Sequence, residues 1–204
     1  MTSQNRSEQA GQQPAAAATC ERPELKKWCA RVRETLSSER FAHVMRVTDL
    51  AEQIALAHSF SEEETRVTVQ AALLHDIARE LPAEELFRLA PPQLPLEFEH
   101  PLTVHGRAGR KMAEQWGVTD EHVLSAIEGH VFGVSESNRP GVAVYIADVC
   151  EPGRGVNDDI RELALTDLGG AYRLAVSRTT SYLQSIGVPI HPGTARVCRE
   201  LGPA

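Results

Sequence analysis

A chain of 204 residues with 42% hydrophobic side chains is long enough for one domain with a sizeable core. A formal net charge of −7 argues against a general nucleic-acid binder held by phosphate contacts. No apolar run reaches the length of a bilayer span and the start carries no signal-peptide pattern, so a soluble, cytoplasmic protein without a membrane partner is expected. The four cysteines, Cys20, Cys29, Cys150 and Cys198, are widely spaced and form no CxxC pair. They read as reduced thiols rather than a disulfide framework or a zinc knuckle.

Residues 1–18 are rich in Gln, Ser and Ala with almost no large apolar side chain. They cannot bury enough surface to offset the entropy of ordering, so the segment 1–22 is expected to be a disordered tail ahead of one domain over 23–204. From Pro23 onward the apolar residues recur at helical spacing. His43 shares a helical face with Val47, Leu50 and Ile54, at offsets of 4, 7 and 11, so it should point inward. Ser61 followed by Glu64 reads as a capping box opening a helix that carries His75 and Asp76 near its far end. The stretch 81–101, with its prolines, reads as irregular. Gly117 should close the helix after His105, and Thr119, Asp120 and Glu121 should open the one ending near His130. After a second irregular stretch over 132–139, Pro140 and Gly141 start a helix that delivers Asp148. Thr166 should then begin a long helix with Leu168, Tyr172, Ala175, Thr179 and Leu183 on one face, ended by Gly187 and Pro189. No strand pattern intervenes, and the fold class is all-α, a bundle of about six to nine helices.

Within that bundle the doublet His75-Asp76 stands where an apolar helix ends. A single doublet is as well explained by a helix-terminal His beside a capping Asp. His43, His105, His130 and Asp148 answer it, each beside or within an apolar helical stretch where an unpaired imidazole or carboxylate would cost several kcal/mol to bury. As a set they read as metal ligands gathered from several helices. Mixed imidazole and carboxylate, with no thiolate, suits Fe, Mn, Co, Ni or Zn.

The order His, His-Asp, His, His, Asp resembles the HD-domain metal phosphohydrolases. The finer wording, Arg40-Phe41-Ala42-His43, Leu74-His75-Asp76-Ile77-Ala78-Arg79, His105-Gly106, Glu128-Gly129-His130 and above all Asp148-Val149-Cys150-Glu151-Pro152-Gly153-Arg154, resembles one branch, the YqeK-type HD hydrolases. That branch cleaves diadenosine tetraphosphate symmetrically into two ADP, which makes a dinucleoside polyphosphate the expected substrate. The resemblance implies an HD-domain helical bundle with two divalent metal ions, iron by preference. His43, His75, Asp76 and Asp148 would hold one ion, and His105, His130 and a bridging Asp76 the other. A hydroxide shared between ions roughly 3.5 to 4 Å apart would attack phosphorus. The family usually has Lys where this chain has Arg79, Ser or Thr at Val44 and Thr at Val131; the first exchange keeps the charge and the other two remove hydroxyls.

An anionic substrate in an acidic protein needs fixed cations. Arg79 and Arg154 are the best placed to bind its phosphates, while Arg107, Arg110 and Lys111 read as a solvated helix face. Asp76, Arg79 and Glu151 are the candidate catalytic residues. Glu128 and Glu151 could each donate a proton to the leaving phosphate or merely anchor an arginine. His58, His100, His122 and His191 read as surface or structural. Competing readings are a nucleotidase or phosphodiesterase built on the same metals, and a non-catalytic HD module, whose expected mark would be a missing ligand. A monomer or a homodimer is equally compatible with the sequence.

Overall fold

Caps supplied by the sequence decide where most helices begin. Ser61 and Glu64 form the reciprocal capping box, with Ser61 Oγ accepting from Glu64 N–H and the Glu64 carboxylate from Ser61 N–H. Ser37, Asp120, Asn138 and Asp167 each accept a backbone N–H of the first turn they precede. The computed structural model describes residues 19–202. In chain order these hold α1 (Pro23–Thr35), α2 (Ser38–Ala57), α3 (Glu62–Leu74), α4 (Ala83–Leu89), α5 (Pro95–Glu99), α6 (His105–Trp116), α7 (Glu121–Gly129), α8 (Arg139–Cys150), α9 (Asp158–Ala164), α10 (Leu168–Ser185) and α11 (Pro192–Leu201). Short 3-10 turns cover Pro101–Val104 and Pro152–Arg154. Among the described residues there is no strand, and no helix is long and apolar enough to cross a membrane.

Of the tail expected over 1–22, residues 1–18 lie outside the described residues; Thr19, Cys20 and Glu21 are helical, and Thr19 is buried. The helices outnumber the six to nine expected because short ones form where the sequence reads as irregular, α4 after Pro82 and α5 from Pro95. Pro95 occupies the first turn of α5, where its missing N–H costs nothing. The long helix α10 starts two residues later than expected, because Asp167 rather than Thr166 is its cap.

Buried from Pro140 to Ala147 on every side, α8 runs as the central rod, as a helix that is apolar all round must. Helices α2, α3, α7 and α10 pack on it. Its start is tied to α3 by Arg139, which reaches the Glu64 carboxylate and the His58 carbonyl. Its last turn is closed from outside, Asn157 and Arg161 donating to the carbonyls of Val149 and Cys150. A smaller apolar cluster of Ala78, Leu86, Ala90, Val104 and Ala108 seats α4 against α6.

One expectation is corrected: Cys20 and Cys29 form a disulfide, their Cα atoms 5.6 Å apart. A helical stretch doubles back between them closely enough for bridging geometry, a distance that spacing along the sequence does not encode. Cys150 and Cys198 are free.

The segment after His130 is held by one phenol. Tyr172 of α10 is fully buried; its OH donates to Val134 O and accepts from Val134 N–H, both at 2.7 Å. Tyr172→Phe would leave that N–H and C=O buried without partners, so it is expected to destabilise the protein by about 1–3 kcal/mol or more. Chemical denaturation of both proteins measures this.

Candidate metal centre

Three of the four central histidines sit where helices end, and this fixes their rings. Carbonyls of a last helical turn have no intrahelical partner. His75, at the end of α3, uses one by donating Nδ1–H to Ala72 O at 2.6 Å, and His130, at the end of α7, donates to Ile127 O at 2.6 Å. His105, opening α6, donates to Leu102 O in the preceding 3-10 turn. A carbonyl only accepts, so in each ring Nδ1 carries the proton and Nε2 presents a lone pair. His43 lies inside α2, where the carbonyls are engaged, and its Nδ1 meets Glu151 Oε1 at 3.0 Å instead.

All four Nε2 atoms converge on Asp76 and Asp148. Asp76 divides its oxygens: Oδ1 lies 3.2 Å from His105 Nε2 and 3.6 Å from His130 Nε2, while Oδ2 lies 3.6 Å from His75 Nε2 and 3.8 Å from His43 Nε2. Asp148 Oδ1 closes the second group at 3.1 Å from His43 Nε2 and 4.0 Å from His75 Nε2. Ligand atoms of His43, His75 and Asp148, and those of His75, Asp76 and His130, lie within 4.8 Å of one another. The six residues singled out in the sequence thus meet in one place. The close approach of His105 and His130, Nε2 to Nε2 2.9 Å, depends on Gly106. A Cβ there would run into the Glu128 carbonyl and Val131, so no larger residue lets α6 press this near to α7.

Burial and the neighbouring charges together set the protonation states. Burial pushes the His75 pKa down to about 4 and depresses that of His105, so both imidazoles are neutral. For Asp148 burial favours the neutral acid, but His43, His75 and Arg154 beside it outweigh burial and hold the carboxyl below its usual range. Asp76 behaves likewise, with His75, His105 and His130 overcoming burial. In His43 and His130 burial is outweighed by the neighbouring carboxylates, which raise the pKa; a cation binds neutral imidazole beside ionised carboxylate, so its uptake at these rings would release protons. Nε2 of His43 and of His75 are buried without a hydrogen-bond partner. Such atoms are costly to leave unpaired, and divalent ions would satisfy them. The residues therefore fit a divalent metal centre.

Arginines surround it. Arg154 pairs with Asp148, through both the carboxylate and the backbone carbonyl. Arg79, half-buried three residues after Asp76, has no acidic partner among the described residues. Two further arginines approach that the sequence reading left without a role. Arg40 donates to Asp76 Oδ2 at 3.1 Å, and Arg46 holds Glu151 with two bonds, Nε to Oε2 at 2.6 Å and Nη2 to Oε1 at 3.1 Å. Each is three residues from His43, a helical spacing that puts them on its side of α2. Glu151 is 1% exposed, and His43, Arg46 and Gly153 N–H hold its pKa down to about 2 against burial. Arg110 instead joins Glu114, Glu121 and Glu128 in a surface network, Lys111 pairs with Glu114, and Arg107 pairs with buried Glu97. His191 also bonds Glu97 and stacks on Phe132. At the surface, the Glu80 carboxylate accepts both Ser37 N–H and Ser37 Oγ–H at 2.7 Å, tying the start of α2 to the turn after Asp76.

Comparison with known proteins agrees with this architecture. The HD domain matches residues 40–153, a span that opens at Arg40 and closes inside the run after Asp148. A curated protein of Bacillus subtilis, bis(5'-nucleosyl)-tetraphosphatase, symmetrical, is 32% identical over 175 residues, 80% of this chain and 89% of that one. A probable nicotinate-nucleotide adenylyltransferase/Ap4A hydrolase of Mycoplasma genitalium is 29% identical, with 74% of this chain matching 44% of that longer protein. A crystal structure from Clostridium acetobutylicum, described as a predicted HD superfamily hydrolase involved in NAD metabolism, superposes with a TM-score of 0.78 at 29% identity, covering 86% of this chain and 95% of that one. The chain belongs to the HD-domain family, on the branch that holds the symmetrical bis(5'-nucleosyl)-tetraphosphatases.

Because Asp76 faces both groups and Asp148 one, their loss should differ. Asp76→Ala is expected to abolish divalent-metal retention, and Asp148→Ala to leave about one equivalent at His105 and His130. Elemental analysis of the purified proteins checks the stoichiometry.

Proposed function

We propose that this protein is a divalent-metal-dependent symmetrical bis(5'-nucleosyl)-tetraphosphatase that hydrolyses diadenosine tetraphosphate to two ADP. One observation carries the reading: a single buried carboxylate, Asp76, turns its two oxygens to two separate histidine groups, in a chain whose Bacillus subtilis relative bears that activity in its name. His43, His75, Asp76 and Asp148 would hold one ion, and Asp76, His105 and His130 the other. Iron is our assignment on the family resemblance, within a ligand set that also suits Mn, Co, Ni or Zn. Ions bound there would activate water for attack on phosphorus and neutralise the charge that builds on its oxygens.

The chain's own residues supply the rest. Arg79 is a half-buried cation with no carboxylate to neutralise it among the described residues, and a phosphate group would complete it. Arg154 and Arg40 each point a guanidinium at an oxygen of Asp148 or Asp76. With metal bound at the centre, both guanidinium forks would be available to phosphate, which they can grip two oxygens at a time. The three arginines come from α2, from the turn after α3 and from the 3-10 turn after α8, so together they embrace a chain of phosphates rather than one. These arginines would bind the phosphates beside the centre and so bear on which anhydride bond is cleaved.

The test is hydrolysis of diadenosine tetraphosphate by the metal-analysed protein with the products resolved. Two ADP, lost in Asp76→Ala, is the expected result; ATP plus AMP, or no turnover with both ions bound, would overturn the assignment. Arg79→Ala should raise KM about 10- to 100-fold with metal content unchanged, the loss of a charge-assisted contact of about 1.5–3 kcal/mol.

A further inference from the structure

Four imidazoles enter the centre, and one is held differently. His75, His105 and His130 are oriented by neutral backbone carbonyls. His43 is oriented by an ionised carboxylate that is itself 1% exposed. Burying that carboxylate is tolerable because every part of it is used. Oε1 accepts from His43 Nδ1–H and Arg46 Nη2, and Oε2 accepts from Arg46 Nε and Gly153 N–H. Arg46 can lie there because residue 153 is glycine, since a Cβ at that position would overlap its guanidinium.

We infer that Glu151 and Arg46 are positioning residues that fix the orientation, tautomer and donor strength of His43, and that Gly153 makes room for the pair. The inference rests on the metal-dependent reading above. It gives the run Glu151-Pro152-Gly153-Arg154 a physical meaning. Glu151 takes the proton-bearing face of His43, Pro152 turns the chain, Gly153 admits Arg46 and lends its N–H, and Arg154 reaches back to Asp148. Glu151 has no free oxygen to exchange a proton with a leaving phosphate. A charge-assisted hydrogen bond is roughly twice as strong as one to a carbonyl and makes the ring a better electron donor. The ion on the His43 and Asp148 side is therefore the more tightly held of the two.

The experiment is titration of the metal-free protein with Co2+, followed by calorimetry and by the visible absorption of the bound ion, for the parent and for Glu151→Gln, Arg46→Ala, Arg46→Lys and Gly153→Ala. Metal-free melting temperatures report folding. The parent is expected to bind two ions with unequal affinity. Glu151→Gln and Arg46→Ala should weaken the tighter ion about 10- to 100-fold while the weaker stays unchanged. Gly153→Ala should reproduce the Arg46→Ala loss with Glu151 intact, and Arg46→Lys should restore part of it. Should Glu151→Gln fail to fold, the Arg46 and Gly153 variants decide alone. Parent-like affinity for both ions in the variants, with or without loss of turnover, would overturn the inference; loss of turnover alone would restore Glu151 as a proton donor. A parent that takes up no Co2+ would overturn the metal-dependent function itself, a different failure.

Discussion

Everything at the centre follows from the cost of burying polar nitrogen and oxygen. Four imidazoles and a carboxylate lie almost wholly inside an apolar bundle, where an unpaired polar group costs several kcal/mol. The chain spends helix ends on the problem. By placing His75 and His130 at helix ends it lets last-turn carbonyls orient the rings, so one bond satisfies two buried groups; His105 shares Leu102 O with its own backbone N–H. What remains unsatisfied is Nε2 of His43 and of His75, facing the oxygens of Asp76 and Asp148, and that set has the chemistry of a cation site. Ligand placement and helix termination are thus one design. Shifting a helix end by a residue would move a metal ligand.

Much of this was legible in the sequence, for reasons that differ by residue. The capping box at Ser61, the stop at Gly117 and the apolar rod of α8 are local signals, and local signals survive into the fold. The six residues that meet at the centre were legible as ionisable groups in apolar surroundings and as a pattern resembling a family. Arg40 and Arg46 were legible only halfway. Their spacing from His43 places them on its side of α2, but whether a surface arginine folds inward depends on a carboxylate more than thirty residues away for one and more than a hundred for the other. Glu151 carried two possible roles because its partners cannot be read along the chain. The short helices α4, α5 and α9 were missed because packing rather than periodicity makes a helix of five to seven residues. The bridge between Cys20 and Cys29 was missed because it depends on how tightly the chain doubles back.

Two departures from the family wording acquire a location. Val44 is fully buried in the main core beside His43, so the hydroxyl usual there gives way to packing. Val131 stands against Gly106, filling the narrow space where α6 and α7 meet. Neither side chain replaces a ligand; both harden the walls that hold one.

The Ser37 and Glu80 pair carries this logic to the outside. Both residues are exposed, yet their two short hydrogen bonds join the cap of the helix that bears His43 to the turn that follows Asp76. A surface normally drifts freely over generations while a core does not. At these two positions a change on the surface would be felt at the centre, because the pair bears on the spacing between a ring and a carboxylate that neither residue touches.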